Sequence, residues 1–363
     1  MRATLTISIG TALIAGYYLY GYLAGDSQIA HSNISNDEHV VFFNTTAWLD
    51  EASRQWQVPI HGWVYEPQDS SARKSAFARI LEEEFELEAT AETESNFADR
   101  LNLLIADNER GKIIVIDIAG RTVELPPSEA NGHFETLLTF PAGEIEAYAD
   151  DSIVKFSMVT GANDRRAFGG EVRLVGPVGL SIISDIDDTI KVSAVTDRRK
   201  LLDHTFFLDF VAVPGMASRY SNWANQDASL HFVSSSPWQL YSPLSEFMDA
   251  AGFPWSSLNL KQVRFRDETL FDLFKKGTET KPHAIRLILN AYPNRDFVLV
   301  GDSGEQDPEV YASLLKEYPD QVRKIYIRNV TDESSDDERF SVLFDGVEKE
   351  RWLLFDDPVV LDP

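Results

Sequence analysis

The hydrophobic positions follow two different patterns, which meet near residue 178. Before that point, short runs such as HVVFFN, VPIHGWVYEP and GKIIVIDIAG are rich in β-branched and aromatic residues and are separated by Gly, Pro and Asn. This pattern is typical of strands joined by turns. One segment, SARKSAFARILEEEFEL, instead has its apolar residues at helical spacing. We therefore predict a β-rich domain, a sandwich or barrel with one helical insertion, over residues 40–177.

Beyond residue 178, short apolar runs alternate with segments that suit helices. The runs are LSIIS, SLHFVSS, DFVLVGDS and VRKIYIR, and such alternation is typical of a parallel sheet with helices on its faces. In these sheets, ligands bind at the carboxyl ends of the strands. We predict an α/β fold over residues 178–363, with a Rossmann-like parallel sheet whose functional groups lie at that edge.

A third pattern lies at the amino terminus, where no charged residue occurs from Ala3 to Ala24. As a helix, this segment would be roughly 33 Å long, which is enough to cross the hydrocarbon core of a bilayer. Four tyrosines near its end suit an aromatic belt at the membrane surface. We predict a single membrane-spanning anchor over residues 1–25, followed by a polar linker over residues 26–39.

The charges that flank this segment give it an orientation. Arg2 precedes it and Asp26 follows it, which would leave the catalytic body on the non-cytoplasmic side of the membrane. A cleaved signal peptide is the alternative, and the protein would then be secreted or periplasmic. A cut after Ala24 would place the bulky Tyr22 where a small residue is preferred, so we favour the retained anchor.

Composition narrows the possible functions. A length of 363 residues suits two domains. The net charge of −25 argues against nucleic acid as a partner, because phosphate backbones are bound by basic surfaces. The chain has no cysteine, which excludes disulfides, thiolate nucleophiles and cysteine-ligated zinc.

Four polar clusters lie at predicted strand ends or helix starts. In chain order they are Asp185-Ile186-Asp187-Asp188-Thr189, Ser234, Lys281, and Asp302 with Asp307. Each cluster has an ordinary explanation by itself, as a turn, a helix cap or a surface lysine. Three aspartates within four positions, however, cost free energy unless a cation offsets them. The shared placement at strand ends indicates a single site.

These residue types suit the transfer of a phosphoryl group. Asp185 and Asp302 can hold Mg²⁺, a hard cation that prefers oxygen ligands. One aspartate can attack phosphorus as a covalent nucleophile. A second aspartate, two residues further on, can give a proton to the leaving oxygen and later take one from water. A lysine and a serine can neutralise and hydrogen-bond the phosphoryl oxygens.

The order of the four clusters, and three longer strings around them, resemble a known group of enzymes. The strings are GLSIISDIDDTIKVSAV, HFVSSSPWQLYSPLSEFM and RDFVLVGDSGEQDPEVYASLL. The order of the motifs resembles the haloacid-dehalogenase-like phosphatase superfamily, and within it residues 178–330 resemble the catalytic domain of the actin-patch-protein type of Mg²⁺-dependent phosphatidate phosphatase. The resemblance implies Asp185, Asp187 and Lys281 as catalytic residues, Thr189, Ser234 and Ser235 as substrate-binding residues, and Asp185, Asp187, Asp302 and Asp307 as Mg²⁺ ligands. Ser235 stands where relatives have Asn, and His204 also departs from the expected Asn.

We therefore expect a membrane-anchored enzyme that hydrolyses phosphatidate to diacylglycerol and phosphate through an aspartyl-phosphate. Its partners would be the phospholipid substrate and, through the amino-terminal helix, the membrane. The alternatives are a phosphatase for another phosphomonoester and a non-catalytic module that binds lipid phosphates. The short spacings from Asp185 to Ser234 and on to Lys281 leave little room for a large cap, so we expect an open site.

Overall fold

The two sequence patterns correspond to two units that interleave along the chain. A computed structural model describes residues 31–67, 71–262 and 280–362. The first unit comprises residues 1–66 and 107–175, and the second comprises residues 67–106 and 176–363. The second unit therefore begins inside the β-rich part of the sequence, leaves it, and resumes after residue 175.

The first unit is a mixed sheet of ten strands. They are β1 (His39–Phe42), β2 (Thr45–Asp50), β3 (Gln55–Glu66), β4 (Asp107–Asn108), β5 (Val115–Ile118), β6 (Arg121–Glu124), β7 (His133–Pro141), β8 (Ala149–Asp150), β9 (Ile153–Met158) and β10 (Gly169–Val175). β3 pairs antiparallel with β7 along one edge, and with β2 and then β1 along the other. β10 runs parallel to β2, which makes the sheet mixed. The apolar residues of β3 alternate into the core, where Trp56, Val58 and Ile60 are buried.

Two histidines that stand far apart in the sequence meet in this sheet. His61 on β3 and His133 on β7 lie diagonally across the ladder, with Nε2 of His61 3.1 Å from Nδ1 of His133. The rings of Phe43 and Trp63 pack against His133. Burial lowers the pKa of both histidines, and that of His133 falls to about 4. The pair is thus held neutral within an aromatic cluster.

The second unit contains the predicted parallel sheet. Its six strands are β11 (Leu180–Ser184), β12 (Ser229–Pro237), β13 (Ser257–Lys261), β14 (Asp296–Asp302), β15 (Val322–Arg328) and β16 (Trp352–Phe355). They lie in the order β13-β12-β11-β14-β15-β16, and every neighbouring pair is parallel. β11 and β14 are central neighbours, so their carboxyl ends meet at one point of the sheet edge. Both strands are almost wholly buried, as strands covered on both faces must be.

Helices surround this sheet. Those of the described residues are α1 (Ser71–Phe85), α2 (Glu94–Leu104), α3 (Arg198–Phe206), α4 (Met216–Ala224), α5 (Tyr241–Ala250), α6 (Thr280–Ala291), α7 (Asp307–Glu317) and α8 (Glu338–Leu343). The first lies where one helix was predicted within the β-rich sequence, and the second was not predicted. The two together form an insertion that the structure assigns to the second unit.

The insertion packs against the helix that follows the first catalytic motif. Phe97 of α2 stacks on Phe207 with ring centroids 4.8 Å apart, and Phe77 of α1 meets Phe206 edge to face. Arg100 donates through Nη1 to the backbone carbonyl of Thr205. The sequence argument for an open site counted only the residues between the predicted site motifs. The structure places two further helices, α1 and α2, against α3, and both come from sequence upstream of those motifs.

The predicted fold class requires a correction at the amino terminus. Residues 3–24, on which the membrane-spanning helix was predicted, lie outside the described residues. Within residues 31–67, 71–262 and 280–362, no helix is both long and apolar enough to cross a bilayer. The predictions of a single-span anchor and of a membrane-anchored location are corrected accordingly, because the described residues support neither.

The buried histidine pair predicts that acid destabilises the first unit. His133 is 4% exposed, and its pKa falls from an ordinary 6.5 to about 4. Between these values the unfolded chain binds a proton that the folded chain rejects, so stability is full above pH 6.5 and declines towards pH 4. The loss reaches about 3 kcal/mol. Urea unfolding at pH 7 and at pH 4.5 measures it.

The variant His133→Gln isolates this contribution, because Gln can still hydrogen-bond to His61 but does not take up a proton. Its loss of stability between pH 7 and pH 4.5 should be smaller than that of the unsubstituted protein by about 3 kcal/mol. Equal losses in the two proteins would contradict the prediction.

Candidate active site

The first aspartate of the acidic cluster is fixed by the two central strands. Asp185 directly follows β11, and its N–H donates to the carbonyl of Val300 on β14 at 2.9 Å. Asp302 is the last residue of β14. Because β11 and β14 are parallel neighbours, the two carboxylates meet at the carboxyl edge, where both are buried. The sheet itself therefore brings the first and last motifs together.

A third carboxylate completes this group. Asp307 is the first residue of α7, and its Oδ2 accepts the N–H of Asp302 at 3.3 Å. Oxygen atoms of Asp185, Asp302 and Asp307 all lie within 4.8 Å of one another. Gly301 makes this approach possible, since a Cβ at that position would overlap the Asp307 carboxylate. We call these three residues the carboxylate triad.

Lys281, in the first turn of α6, is the cation beside this triad. Its Nζ lies 2.8 Å from Oδ1 of Asp185 and also contacts Oδ1 of Asp307. Burial alone would lower the pKa of Lys281, but Asp185 and Asp307 raise it well above its usual range. The lysine is therefore a fixed positive charge, buried to all but 6% of its surface.

One lysine does not balance three buried carboxylates. Burial raises the pKa of Asp185 well above its usual range, and Lys281 opposes that effect. Burial also raises the pKa of Asp302, with a further contribution from the charge of Asp307. Within the described part of the chain, Oδ1 of Asp185 has only the ion pair with Lys281, and Oδ2 of Asp185 and Oδ2 of Asp302 are buried without a hydrogen-bond partner. Such a set of hard oxygen atoms with excess negative charge fits a divalent cation such as Mg²⁺.

Asp187 has different surroundings, although it is only two residues from Asp185. Nζ of Lys191 lies 2.7 Å from its Oδ1, and the Ser193 hydroxyl donates to the same oxygen at 2.7 Å. Its Oδ2 accepts from the hydroxyls of Ser236 at 2.8 Å and Ser234 at 3.3 Å. Burial would raise the pKa of Asp187, but Lys191 and these donors lower it to about 2. The carboxylate of Asp187 thus faces a second lysine and lies apart from the triad.

Asp188 shapes the loop that carries these groups. Its φ of +54° is unusual for a residue with a side chain. Its Oδ1 accepts the backbone N–H of Ser193 and Ala194, and its Oδ2 accepts that of Val195. Its own carbonyl accepts from Nη1 of Arg328 at 2.7 Å. Asp188 therefore holds the loop in its conformation and joins it to β15 by a hydrogen bond. Its role is to support the loop.

The two remaining predicted residues lie close to this loop. Thr189 is fully buried, and its hydroxyl is among the buried groups of the described residues that lack a hydrogen-bond partner. Ser235 is half-buried between Ser234 and Ser236 on β12. The structure thus gathers all the predicted residues at the carboxyl ends of β11, β12 and β14, in two groups around Asp185 and Asp187.

Three residues that contact Asp187 were not predicted as site residues, namely Lys191, Ser193 and Ser236. Lys191 stands out in the sequence as the first base after the acidic cluster, and asking what balances that cluster would have found it. Ser236 followed by Pro237 is a sequence that suits the cap and the first position of a helix. In the structure, β12 continues through Pro237, and a 3₁₀ turn (Trp238–Leu240) precedes α5. The Ser236 hydroxyl is consequently available to Asp187.

Comparison with known proteins agrees with this geometry. Residues 180–329 match the family described as "Phosphatidate phosphatase APP1, catalytic domain". The resemblance found in the sequence is confirmed. The matched segment runs from the start of β11 to just beyond β15, and it contains the carboxylate triad and both lysines.

Two curated relatives extend the comparison. Phosphatidate phosphatase APP1 of Saccharomyces cerevisiae is 35% identical over 166 residues, which cover 45% of this chain and 28% of that protein. An uncharacterised protein of Schizosaccharomyces pombe is 27% identical over 263 residues, covering 70% of this chain and 40% of that protein. The chain thus spans less than half the length of each relative. A solved 2,6-sialyltransferase from Photobacterium matches with a TM-score of 0.22 at 12% identity over 79% of this chain and 41% of that one, too weakly to bear on the fold.

The carboxylate triad contains buried oxygens that lack a hydrogen-bond partner, one of them Oδ2 of Asp302. We therefore predict that Mg²⁺ stabilises the folded protein and that this effect requires Asp302. Without metal, Asp302→Asn removes one of three crowded charges, so the variant should be at least as stable as the unsubstituted protein. At a Mg²⁺ concentration one hundred times its dissociation constant, the unsubstituted protein should gain about 2.7 kcal/mol and the variant much less. Thermal unfolding in EDTA and in Mg²⁺ measures both effects.

Asp296→Asn is the matched control, since Asp296 begins the same strand, is partly exposed and pairs with Arg323. It should respond to Mg²⁺ as the unsubstituted protein does. An equal gain in the Asp302→Asn variant would exclude the triad as the cation site.

Proposed function

We propose that the second unit is a Mg²⁺-dependent phosphatidate phosphatase that releases diacylglycerol and inorganic phosphate through an aspartyl-phosphate. The observation that supports this most directly is the contrast between Asp185 and Asp187. Two carboxylates at one strand end lie beside different lysines, and their pKa values shift in opposite directions. Sites of this kind divide the chemistry between a carboxylate that attacks in its ionised form and one that moves protons. A cation held by the triad would lower the pKa of Asp185 and so favour its ionised form.

Asp185 is proposed as the nucleophile. One of its oxygens attacks phosphorus, a bond from phosphorus to that oxygen forms, and the bond from phosphorus to the glycerol oxygen breaks. Lys281, 2.8 Å from Asp185, is placed to neutralise charge on the phosphoryl oxygens as it develops. Mg²⁺ held by Asp185, Asp302 and Asp307 would polarise a phosphoryl oxygen and offset the crowded negative charge.

Asp187 is proposed to move the protons of both half-reactions. It gives a proton to the glycerol oxygen that leaves, and it takes one from the water that cleaves the aspartyl-phosphate and restores Asp185. The protein alone holds Asp187 ionised, which is the form required for the second half-reaction. A phosphate dianion beside Asp187 would raise its pKa, because like charges disfavour the ionised form, and so would favour the protonated form required for the first.

Phosphatidate as the substrate rests on the family match of residues 180–329 and on the yeast relative. The chemistry at Asp185 would serve other phosphomonoesters equally well. Ser234, which hydrogen-bonds Asp187, and its neighbour Ser235 are proposed to contact the phosphoryl oxygens, and the buried Thr189 is proposed to support them.

Phosphate release tests this function directly. We expect Mg²⁺-dependent release from phosphatidate in mixed micelles, with Asp185→Asn reducing the rate by at least about a thousandfold and Asp187→Asn by about a hundredfold or more. Glycerol 3-phosphate and p-nitrophenyl phosphate serve as soluble substrates, and Asp296→Asn serves as a control far from the edge that carries Asp302. Release from the soluble esters alone would rule out the lipid substrate. Release that is independent of both aspartates would rule out the enzyme.

A further inference from the structure

A groove opens within the second unit, on the side of the loop that carries Asp187. Its volume is about 660 Å³, which lies within the usual range of small-molecule sites. Its walls are α2 of the insertion, the flap segment 209–212 and α5. The apolar residues that line it include Leu103, Phe210, Ala212, Pro243, Phe247 and Ala250.

The flap connects this groove to the catalytic loop. Lys191 pairs with Ala212, and the N–H of Val192 donates to the carbonyl of Val211. The ring of Phe210 lies 4.9 Å from Nζ of Lys191, which in turn lies 2.7 Å from Oδ1 of Asp187. Two successive contacts therefore lead from Asp187 to the wall of the groove.

The opposite wall also begins at the active site. α5 follows the end of β12, with a single 3₁₀ turn (Trp238–Leu240) between them. β12 carries the Ser234 and Ser236 hydroxyls that donate to Asp187. Both walls are thus continuous with the surroundings of Asp187, whereas the carboxylate triad and Lys281 occupy the other side of the site.

Because the groove lies on the Asp187 side of the site, it would face the part of the substrate that Asp187 contacts. If the proposed function holds, Asp187 gives its proton to the oxygen that leaves phosphorus. In phosphatidate that oxygen belongs to the glycerol that carries both acyl chains, so these chains extend from the Asp187 side. We propose that the groove binds an acyl chain of a lipid phosphomonoester substrate, an inference that rests on the proposed function.

The charges around the groove favour a neutral chain over an anionic group. Nη1 of Arg100 donates to the backbone carbonyls of Thr205 and Leu208, and its guanidinium carbon lies 3.9 Å from the centre of the Phe210 ring. This arginine is therefore engaged in holding the flap. Three exposed carboxylates stand at the rim, those of Asp99, Asp209 and Glu246. They would repel a leaving group that carries further phosphates and leave a hydrocarbon chain unaffected.

A comparison of two chain lengths tests the groove. Dibutanoyl and dioctanoyl phosphatidate are assayed as monomers, below their critical micelle concentrations. Each methylene that enters an apolar site is worth up to about fourfold in affinity. We therefore expect kcat/KM of the unsubstituted protein to be more than tenfold higher for the dioctanoyl ester.

Two substitutions alter the groove by different means. Ala250→Trp fills it from an exposed helix position, and Leu103→Asp places a charge in its wall. Each should lower the ratio of the two kcat/KM values at least tenfold, and a ratio is insensitive to loss of folded protein. Asp249→Trp adds the same ring at the neighbouring exposed position of α5, outside the groove, and should leave the ratio unchanged.

The outcomes separate the groove from the proposed function. If both esters are hydrolysed and the ratio is the same in all four proteins, the groove proposal is overturned and the proposed function stands. If the ratio falls equally in Asp249→Trp, the effect comes from an added surface ring and the groove proposal is again overturned. If neither ester is hydrolysed while p-nitrophenyl phosphate is, the proposed function fails and the groove proposal fails with it.

Discussion

The active site depends on the ion pair between Lys281 and Asp185. The parallel sheet forces the ends of β11 and β14 together, and the sequence places an aspartate at each end. Asp307 adds a third buried charge within reach. Without Lys281 these groups would form an uncompensated anionic cluster, of a kind that costs about 3–5 kcal/mol when a buried partner is removed. The fold can therefore keep these three carboxylates away from water only because α6 brings a lysine to them.

A second lysine gives Asp187 surroundings that differ from those of Asp185. Asp185 and Asp187 are the same residue type, two positions apart in one loop. Lys281 contacts the first and Lys191 contacts the second, while three serine hydroxyls also donate to Asp187. Their chemical difference comes from their neighbours, some in the same loop and some on other strands and helices. Asp188, with its positive φ, turns the chain directly after Asp187.

Sequence patterns predicted those features that depend on local periodicity. The alternation after residue 178 predicted the parallel sheet, and strand-end placement grouped Asp185, Ser234 and Asp302. The helical spacing of residues 71–87 predicted the insertion but could not assign it to a unit, because an apolar face does not specify its partner. Ser236 was missed for a related reason, because its contact with Asp187 depends on how far β12 extends along the edge of the sheet. Lys191, in contrast, follows Asp187 by four positions, and the sequence could have indicated it. The anchor prediction rested on the hydropathy, the tyrosines and the flanking charges of one segment, and the described residues do not support it.

The interleaving of the two units has a consequence for biosynthesis. The ribosome completes α1 and α2 long before it reaches α3, the helix whose Phe206 and neighbouring Phe207 cover the Phe77 and Phe97 rings. At ordinary translation rates the interval is on the order of ten seconds. During this interval the aromatic residues of α1 and α2 have no α3 to pack against. The strands on either side of the insertion, β3 and β4, also have to pair across it. The nascent chain therefore passes through a stage in which apolar surface is exposed, and that stage is where we expect chaperones to engage it.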